Sequence, residues 1–195
     1  SASLARLLAA EGMAVALAAR DVAKLDGLAR SIGAATFPCD ATDETAVDAL
    51  FQAIDARLGP PELVDYNPSF RTRGPITDLR AADVRTSLMV TAFGAFLVAQ
   101  RAARRMLARG HGTIMLTGAS AGVKGYPRSA PFAMGKFALR GLAQSLAREL
   151  HPQNVHVVHV VIDGAIRGER HVEPADRPDS LLDPDAIART YLDLW

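Results

Sequence analysis

The sequence holds one cysteine, Cys39, in 195 residues. A single thiol excludes a framework of internal disulfides and fits a reducing compartment. It has almost no net charge, since 22 Lys and Arg stand against 21 Asp and Glu. A balance of +1 leaves no basic footprint for nucleic acid or for an anionic membrane. Long apolar runs are missing as well. The longest, Leu88 to Ala99, is too short to cross a bilayer and reads as a buried helix. There is no basic leader with a cleavage site, because Ser1 begins inside a helical pattern, so the expected location is cytoplasmic. Repeats, low-complexity tracts and an interdomain linker are absent. The five histidines show no ligand spacing with Cys39 or with one another, and no metal site is expected.

What the chain does have is a regular alternation. A helical pattern over 1–12 ends at Gly12, and the apolar run 13–19 closes at Arg20 and Asp21. Val22, Leu25, Leu28 and Ile32 mark a second helix, and 35–40 a short strand ending at Asp40. A helix from Asp43 and Glu44 puts Val47, Leu50, Phe51, Ile54 and Leu58 on one face before Gly59 stops it. Strand 62–67 leads through a loop to one long helix over 81–109, then to strand 113–117. A helix to Leu150 and strand 154–162 follow; the remainder is loop-rich and closes on a helix at 183–195. The strands are nearly all apolar, so both their faces are covered. The expectation is one doubly wound α/β domain over residues 1–195: a parallel sheet, helices on both faces, and ligands at the carboxyl ends of the strands.

The stretch Leu116 to Leu150 runs through a two-glycine turn, TGASAG, into an unbroken helix with Leu139, Leu142, Leu146 and Leu150 at helical spacing. Phe132 and Lys136 leave one face of that helix a turn apart. This stretch resembles the short-chain dehydrogenase/reductase family, whose fold is of the Rossmann type. More narrowly, it resembles a divergent subgroup with phenylalanine in place of the catalytic tyrosine. The family's chemistry rests on Asn, Ser, Tyr and Lys. Carried over by position, these fall at Thr91, Ala119, Phe132 and Lys136, so only the lysine is unchanged. Phenylalanine has no proton to give and alanine no hydroxyl, and a missing general acid typically costs about 10²–10⁴ in rate. Ser120, Tyr126 and Asp163, with Tyr66 at a strand end, are the weak candidates to replace them.

The resemblance also implies a nicotinamide cofactor. Its first strand and glycine turn would precede Ser1, which takes the place of the last glycine. Arg20 follows the second strand, with Ala19 where the family usually has an acid. An arginine there pairs with a 2′-phosphate, so NADP(H) is favoured over NAD(H). Asp40 and Ala41 correspond to the adenine contacts, with Thr42 as a helix cap. Asn67, Pro68 and Ser69 stand where the family has Asn-Ala-Gly, and Thr117 opens the glycine turn. Asp163, Gly164 and Ile166 match the segment that cups the nicotinamide, while Gly168 replaces a threonine. Lys136 would bind the nicotinamide ribose. The implied function is an NADP(H)-dependent oxidoreductase acting on a carbonyl or alcohol of a small molecule, with an atypical active site. The alternatives are a cofactor-binding protein without hydride transfer, and a reductase of activated double bonds. A homodimer or homotetramer is expected through the helices around 85–109 and 130–150, where Ala92, Gly94, Ala95, Ala138 and Gly141 permit close approach.

Overall fold

The structure, a computed structural model, describes residues 2–168 and 171–195. Ser1, expected at the place of a last glycine, lies outside them. In chain order the elements are α1 (Ala2–Ala10), β1 (Ala16–Ala19), α2 (Asp26–Ile32), β2 (Ala35–Pro38), α3 (Glu44–Leu58) and β3 (Leu63–Tyr66). They continue with α4 (Ala81–Leu88), α5 (Gly94–Arg109), β4 (Gly112–Thr117), α6 (Ala130–Leu150), β5 (Val155–Val160) and α7 (Pro184–Asp193). The fold is Rossmann-like α/β, with every strand pair parallel. The strands pair as two sheets, β1-β2 and β3-β4-β5, where the sequence predicts a single one. By contact the chain divides into two compact units: residues up to Pro38 together with Asp163–Trp195, and Cys39–Ile162.

In the first unit β1 and β2 run in register from Ala16 opposite Ala35 to Ala19 opposite Pro38. α1 packs on α7 and buries Leu4 and Ala5, while Ala188 and Tyr191 are buried on α7. The helix expected from Val22 begins instead as a 3₁₀ turn, Val22–Leu25. Asp21 caps that turn by accepting the Ala23 amide at 3.2 Å, which delays the α-helix to Asp26. The segment after Asp163 is tied down. Ile166 bridges Leu182, with amide bonds from Arg167 to the Leu182 carbonyl and from Leu182 to the Ala165 carbonyl.

In the second unit β4 is central, and its Ile114, Met115 and Leu116 are fully buried. α5 and α6 pack on this sheet, and Val47 and Phe51 of α3 join the same core. The seam between α3 and α5 is ionic: Arg101 is held by Glu44 and Asp48, and Arg105 pairs with Asp55 above the Phe51 ring. Sequence periodicity predicts one continuous helix over 81–109. The structure opens it into a π turn at Met89–Phe93. The Tyr66 hydroxyl donates to the Val90 carbonyl inside that turn. Gly94, just after it, lies against the Tyr66 hydroxyl, and a Cβ there would also sit 2.8 Å from the Ala41 carbonyl oxygen. By length and mean hydropathy, 1.4 in its best window, the 29-residue stretch qualifies as a membrane span. Yet Ala95, Leu97, Ala99, Ala102 and Met106 are in the protein core, as in the core helix of a globular domain.

Candidate active site

The site forms at the carboxyl ends of β3, β4 and β5, where the chain leaves β4 at Thr117. Gly118 donates its amide to the Val160 carbonyl. A Cβ on Gly118 would collide with the His159 ring and sit 2.8 Å from the Val160 oxygen, so glycine lets the turn lie on β5. Ala119 is extended (φ −157°, ψ 163°), and Ser120–Gly122 makes one 3₁₀ turn. Gly122 meets α6 so closely that a Cβ would lie 2.9 Å from the Lys136 carbonyl oxygen. Two glycines thus fix the height of Lys136 over the end of β4.

Lys136 is 3% exposed and donates its Nζ to the Thr117 carbonyl at 2.6 Å. Burial pushes its amine down to about 8, against the opposing pull of the Asp65 carboxylate. Asp65 lies on β3 opposite Met115, which puts it on the same sheet face as Thr117. Its carboxylate accepts from Thr117 Oγ1 at 3.1 Å. Burial raises its pKa to about 6, with the Thr117 bond and the Lys136 charge opposing. Thr117 is therefore a junction, its hydroxyl on Asp65 and its carbonyl on Lys136. Asp65 is a site residue that motif comparison misses, although an acid inside the apolar run 62–67 is itself a signal.

Phe132, one turn before Lys136, has two cations near its ring. Lys136 Nζ lies 5.8 Å from the ring centroid and the Arg71 guanidinium carbon 4.9 Å. Behind them Thr91 sits in the π turn, wholly buried, with no hydrogen-bond partner for its Oγ1 among the described residues. Gly135 lets α6 approach it: a Cβ there would be 3.0 Å from Thr91 Cβ and 3.2 Å from the Ser87 carbonyl oxygen. His159 Nε2 is likewise buried without a partner among the described residues. Burial, then the charges of Lys136 and Arg140, lower its pKa and keep the ring neutral. His156, three residues earlier on β5, is exposed.

The proposed replacements for the missing acid fare unevenly. Tyr66 is 3% exposed and spends its hydroxyl on Val90, with its pKa pushed up by burial, so it is a packing group and not a proton donor. Tyr126 is 40% exposed, with Lys124 5.4 Å from its ring. Ser120 holds the turn through its backbone, donating to Ile162 and accepting from Val123 and Lys124. Asp163 is an exposed residue of the other unit.

Among the cofactor candidates, Asp40 accepts from both the amide (2.9 Å) and the hydroxyl (2.8 Å) of Thr42. The helix cap expected of Thr42 belongs to Asp43, which accepts from Thr45 and Ala46. Ala41 turns its carbonyl toward Gly94, while Asn67, Pro68 and Ser69 form an exposed loop after β3. In the first unit Arg20 is exposed at the end of β1, and Gly164 packs on Leu182, its Cβ position 3.0 Å from Leu182 Cγ. Of the small residues expected to face a partner copy, Gly94 and Ala95 are buried within the chain's own core, Gly94 against the Tyr66 hydroxyl and the Ala41 carbonyl. Among the described residues no three His, Cys, Asp or Glu side chains cluster in a way that would hold a metal.

A family model described as enoyl-(acyl carrier protein) reductase matches residues 1–184. The 3-oxoacyl-[acyl-carrier-protein] reductase MabA of Mycobacterium avium is 34% identical over 86% of this chain and 63% of its own length. Sorbitol-6-phosphate 2-dehydrogenase of Escherichia coli is 28% identical over 95% of this chain and 76% of its own. The chain spans just under two thirds of the length of the MabA relatives. Among solved structures, a short-chain dehydrogenase from Rhodopseudomonas palustris superposes with a TM-score of 0.83 at 34% identity, covering 98% of this chain and 84% of that one. A gluconate 5-dehydrogenase from Burkholderia cenocepacia, solved with NADP and tartrate, shares the fold at 24% identity and a TM-score of 0.87, over 98% and 82% of the two chains. A parallel α/β fold, a glycine turn at the end of β4 and these relatives together place the chain in the short-chain dehydrogenase/reductase family.

Proposed function

We propose that the protein is an NADP(H)-dependent oxidoreductase acting on a carbonyl or alcohol, and that its active site works without the family's serine and tyrosine. Buried Lys136 carries this reading. An ammonium has three protons to donate, and among the described residues only the Thr117 carbonyl takes one. A ribose diol is the kind of acceptor that fits the other two. Lys136 and Thr117 would hold the nicotinamide ribose, Asp40, Ala41 and Asn67 with its loop the adenosine side, and Asp163, Gly164 and Ile166 the nicotinamide. Arg20 would take the 2′-phosphate. The cofactor supplies the hydride. With Ala119 and Phe132 offering no hydroxyl, the developing charge on the substrate oxygen has to be met by another group or by water. That favours substrates needing little acid assistance, and reduction of an activated double bond is the second reading on the same ground. Relatives named as reductases and dehydrogenases favour hydride transfer over a cofactor-binding protein without it, although one relative, 31% identical, is named as an inactive dehydrogenase.

A nicotinamide-fluorescence titration of the full-length protein with NADPH and NADH tests the reading. Tighter NADPH binding is expected, with the preference reduced about tenfold in Arg20→Ala, the usual worth of one charge-assisted bond. Absence of binding to either cofactor would remove the proposal.

We also infer a homo-oligomer through the outer faces of α5 and α6. Phe93, Phe96, Met134 and Phe137 stand 39–47% exposed there, beside exposed Ala138 and Gly141. Sedimentation of the full-length protein should give a dimer or tetramer, and replacing Phe96 and Phe137 by serine should shift it to monomer. A parent that sediments only as a monomer refutes the interface.

A further inference from the structure

The feature that the proposed chemistry leaves unused is Arg71. It lies in the loop after β3, and a buried residue far away in sequence fixes its place. Ser87 on α4 is fully buried, and its hydroxyl lies 3.1 Å from the Phe70 carbonyl oxygen and 2.9 Å from that of Pro131. Those two carbonyls immediately precede Arg71 and Phe132. One hydroxyl thus draws the two together, and the Gly74 amide ties the same loop to the Arg128 carbonyl ahead of α6. The result is the guanidinium 4.9 Å from the Phe132 ring centroid.

We propose that Arg71, seated on Phe132 beside Arg73, anchors an oxyanion of the substrate, a carboxylate or a phosphate, at the Phe132 end of the active site. The inference rests on the oxidoreductase reading in that it names the substrate class of the same site. Three observations carry it. First, neither Arg71 nor Arg73 forms an ion pair among the described residues, although Arg80, Arg101, Arg105 and Arg109 all do. Second, Arg71 and Arg73 are both exposed, and partial desolvation followed by the like charge of Arg73 lowers the Arg71 pKa, so the two cations lie near one another at the surface of this loop. Third, the Arg71 guanidinium donates no side-chain hydrogen bond among the described residues, and its fork of N–H donors matches the geometry of carboxylate and phosphate oxygens. Among the described residues the carboxylate coupled to Lys136 is Asp65, which Thr117 already engages. An anion at the Phe132 end therefore meets the Arg71 guanidinium, with the charge of Arg73 close enough to act on it.

Phenylglyoxal modification of the full-length protein, resolved by peptide mass spectrometry and run without cofactor, tests this. Malonate and inorganic phosphate are the two probes, and exposed Arg85 is the internal control. Protection of Arg71 and Arg73 but not Arg85 is expected. Protection by malonate alone marks an acid substrate, by phosphate alone a phosphorylated one, and by both a site for either. Arg71→Met should raise the anion concentration protecting Arg73 about tenfold, and Arg71→Lys should raise it less. Ser87→Ala should do the same as Arg71→Met while leaving Arg71 in the sequence. Equal protection at Arg85, or none at Arg71, overturns the proposal. Because the assay contains no nicotinamide, a failed NADPH titration leaves this result standing, and the reverse holds too.

Discussion

Replacing Lys136 by methionine is expected to weaken NADPH binding by about tenfold to a hundredfold, the range for a bond from a charged donor. The same variant should be at least as stable as its parent at pH 7. Burial holds the Lys136 amine at about 8 in the folded chain, against 10.5 for an ordinary lysine. Folding at neutral pH therefore takes a charged ammonium out of water, and that penalty is complete below pH 8. Between pH 8 and 10.5 the folded chain has released the proton while the unfolded chain still holds it. The parent should gain up to roughly 3 kcal/mol across that window. A methionine side chain has no such proton, so the variant's stability should lack this rise. Thermal melts at pH 7 and pH 10, beside the fluorescence titration, separate the two effects. A variant that melts lower at pH 7 and keeps its NADPH affinity would make Lys136 a space-filling residue.

Asp65 behaves in the opposite sense. Its folded value of about 6 lies above the unfolded 3.8, so its contribution falls as pH rises from 4 to 6, and the penalty is complete above 6. At pH 7 the site thus carries a buried cation and a half-buried carboxylate, joined through Thr117. Neither is a stabilising choice compared with an apolar pair of the same size.

Much of this is legible in the chain itself. Continuous apolar strands announce parallel pairing, although β4 alone of the described strands is buried along its middle and β1, β3 and β5 stay mostly half-exposed. The glycines of TGASAG announce a close approach that the structure resolves as Gly118 on β5 and Gly122 on α6. What cannot be read is set by tertiary contact. The π turn at Met89–Phe93 has no residue signature: it is held by a hydroxyl from β3, and periodicity alone continues the helix through it. Ser87 looks like any polar residue on a helix, and its role depends on two carbonyls 17 and 44 residues away. Asp65 is visible as an acid in an apolar run, but its partner lies on another strand. Arg71 stands in a loop as an ordinary charge, and only the fold brings Phe132 beneath it. Gly94 and Ala95 mislead for a related reason. Small residues on a helix permit close approach, but sequence does not say whether the neighbour is another copy or the subunit's own β3.

Restoring both missing hydroxyls, Phe132→Tyr with Ala119→Ser, is expected to raise ketone reduction by about 10²–10⁴, followed as loss of nicotinamide absorbance. The scaffold is already arranged for them. Position 132 sits one helical turn before Lys136, and its ring has both Lys136 and Arg71 close by, so a phenol there would titrate below its ordinary value of about 10. Ala119 is in extended conformation at the start of a tight turn, a backbone that serine adopts without strain. Each single change should give less than its share, since a proton donor and the group that steadies the same oxygen act as a unit. Reduction of an activated double bond should change far less, because its transition state places less charge on oxygen. A double variant that binds NADPH like its parent and gains nothing on ketones would mean that proton supply does not limit the parent. The carbonyl oxygen would then already be met by another group or by water.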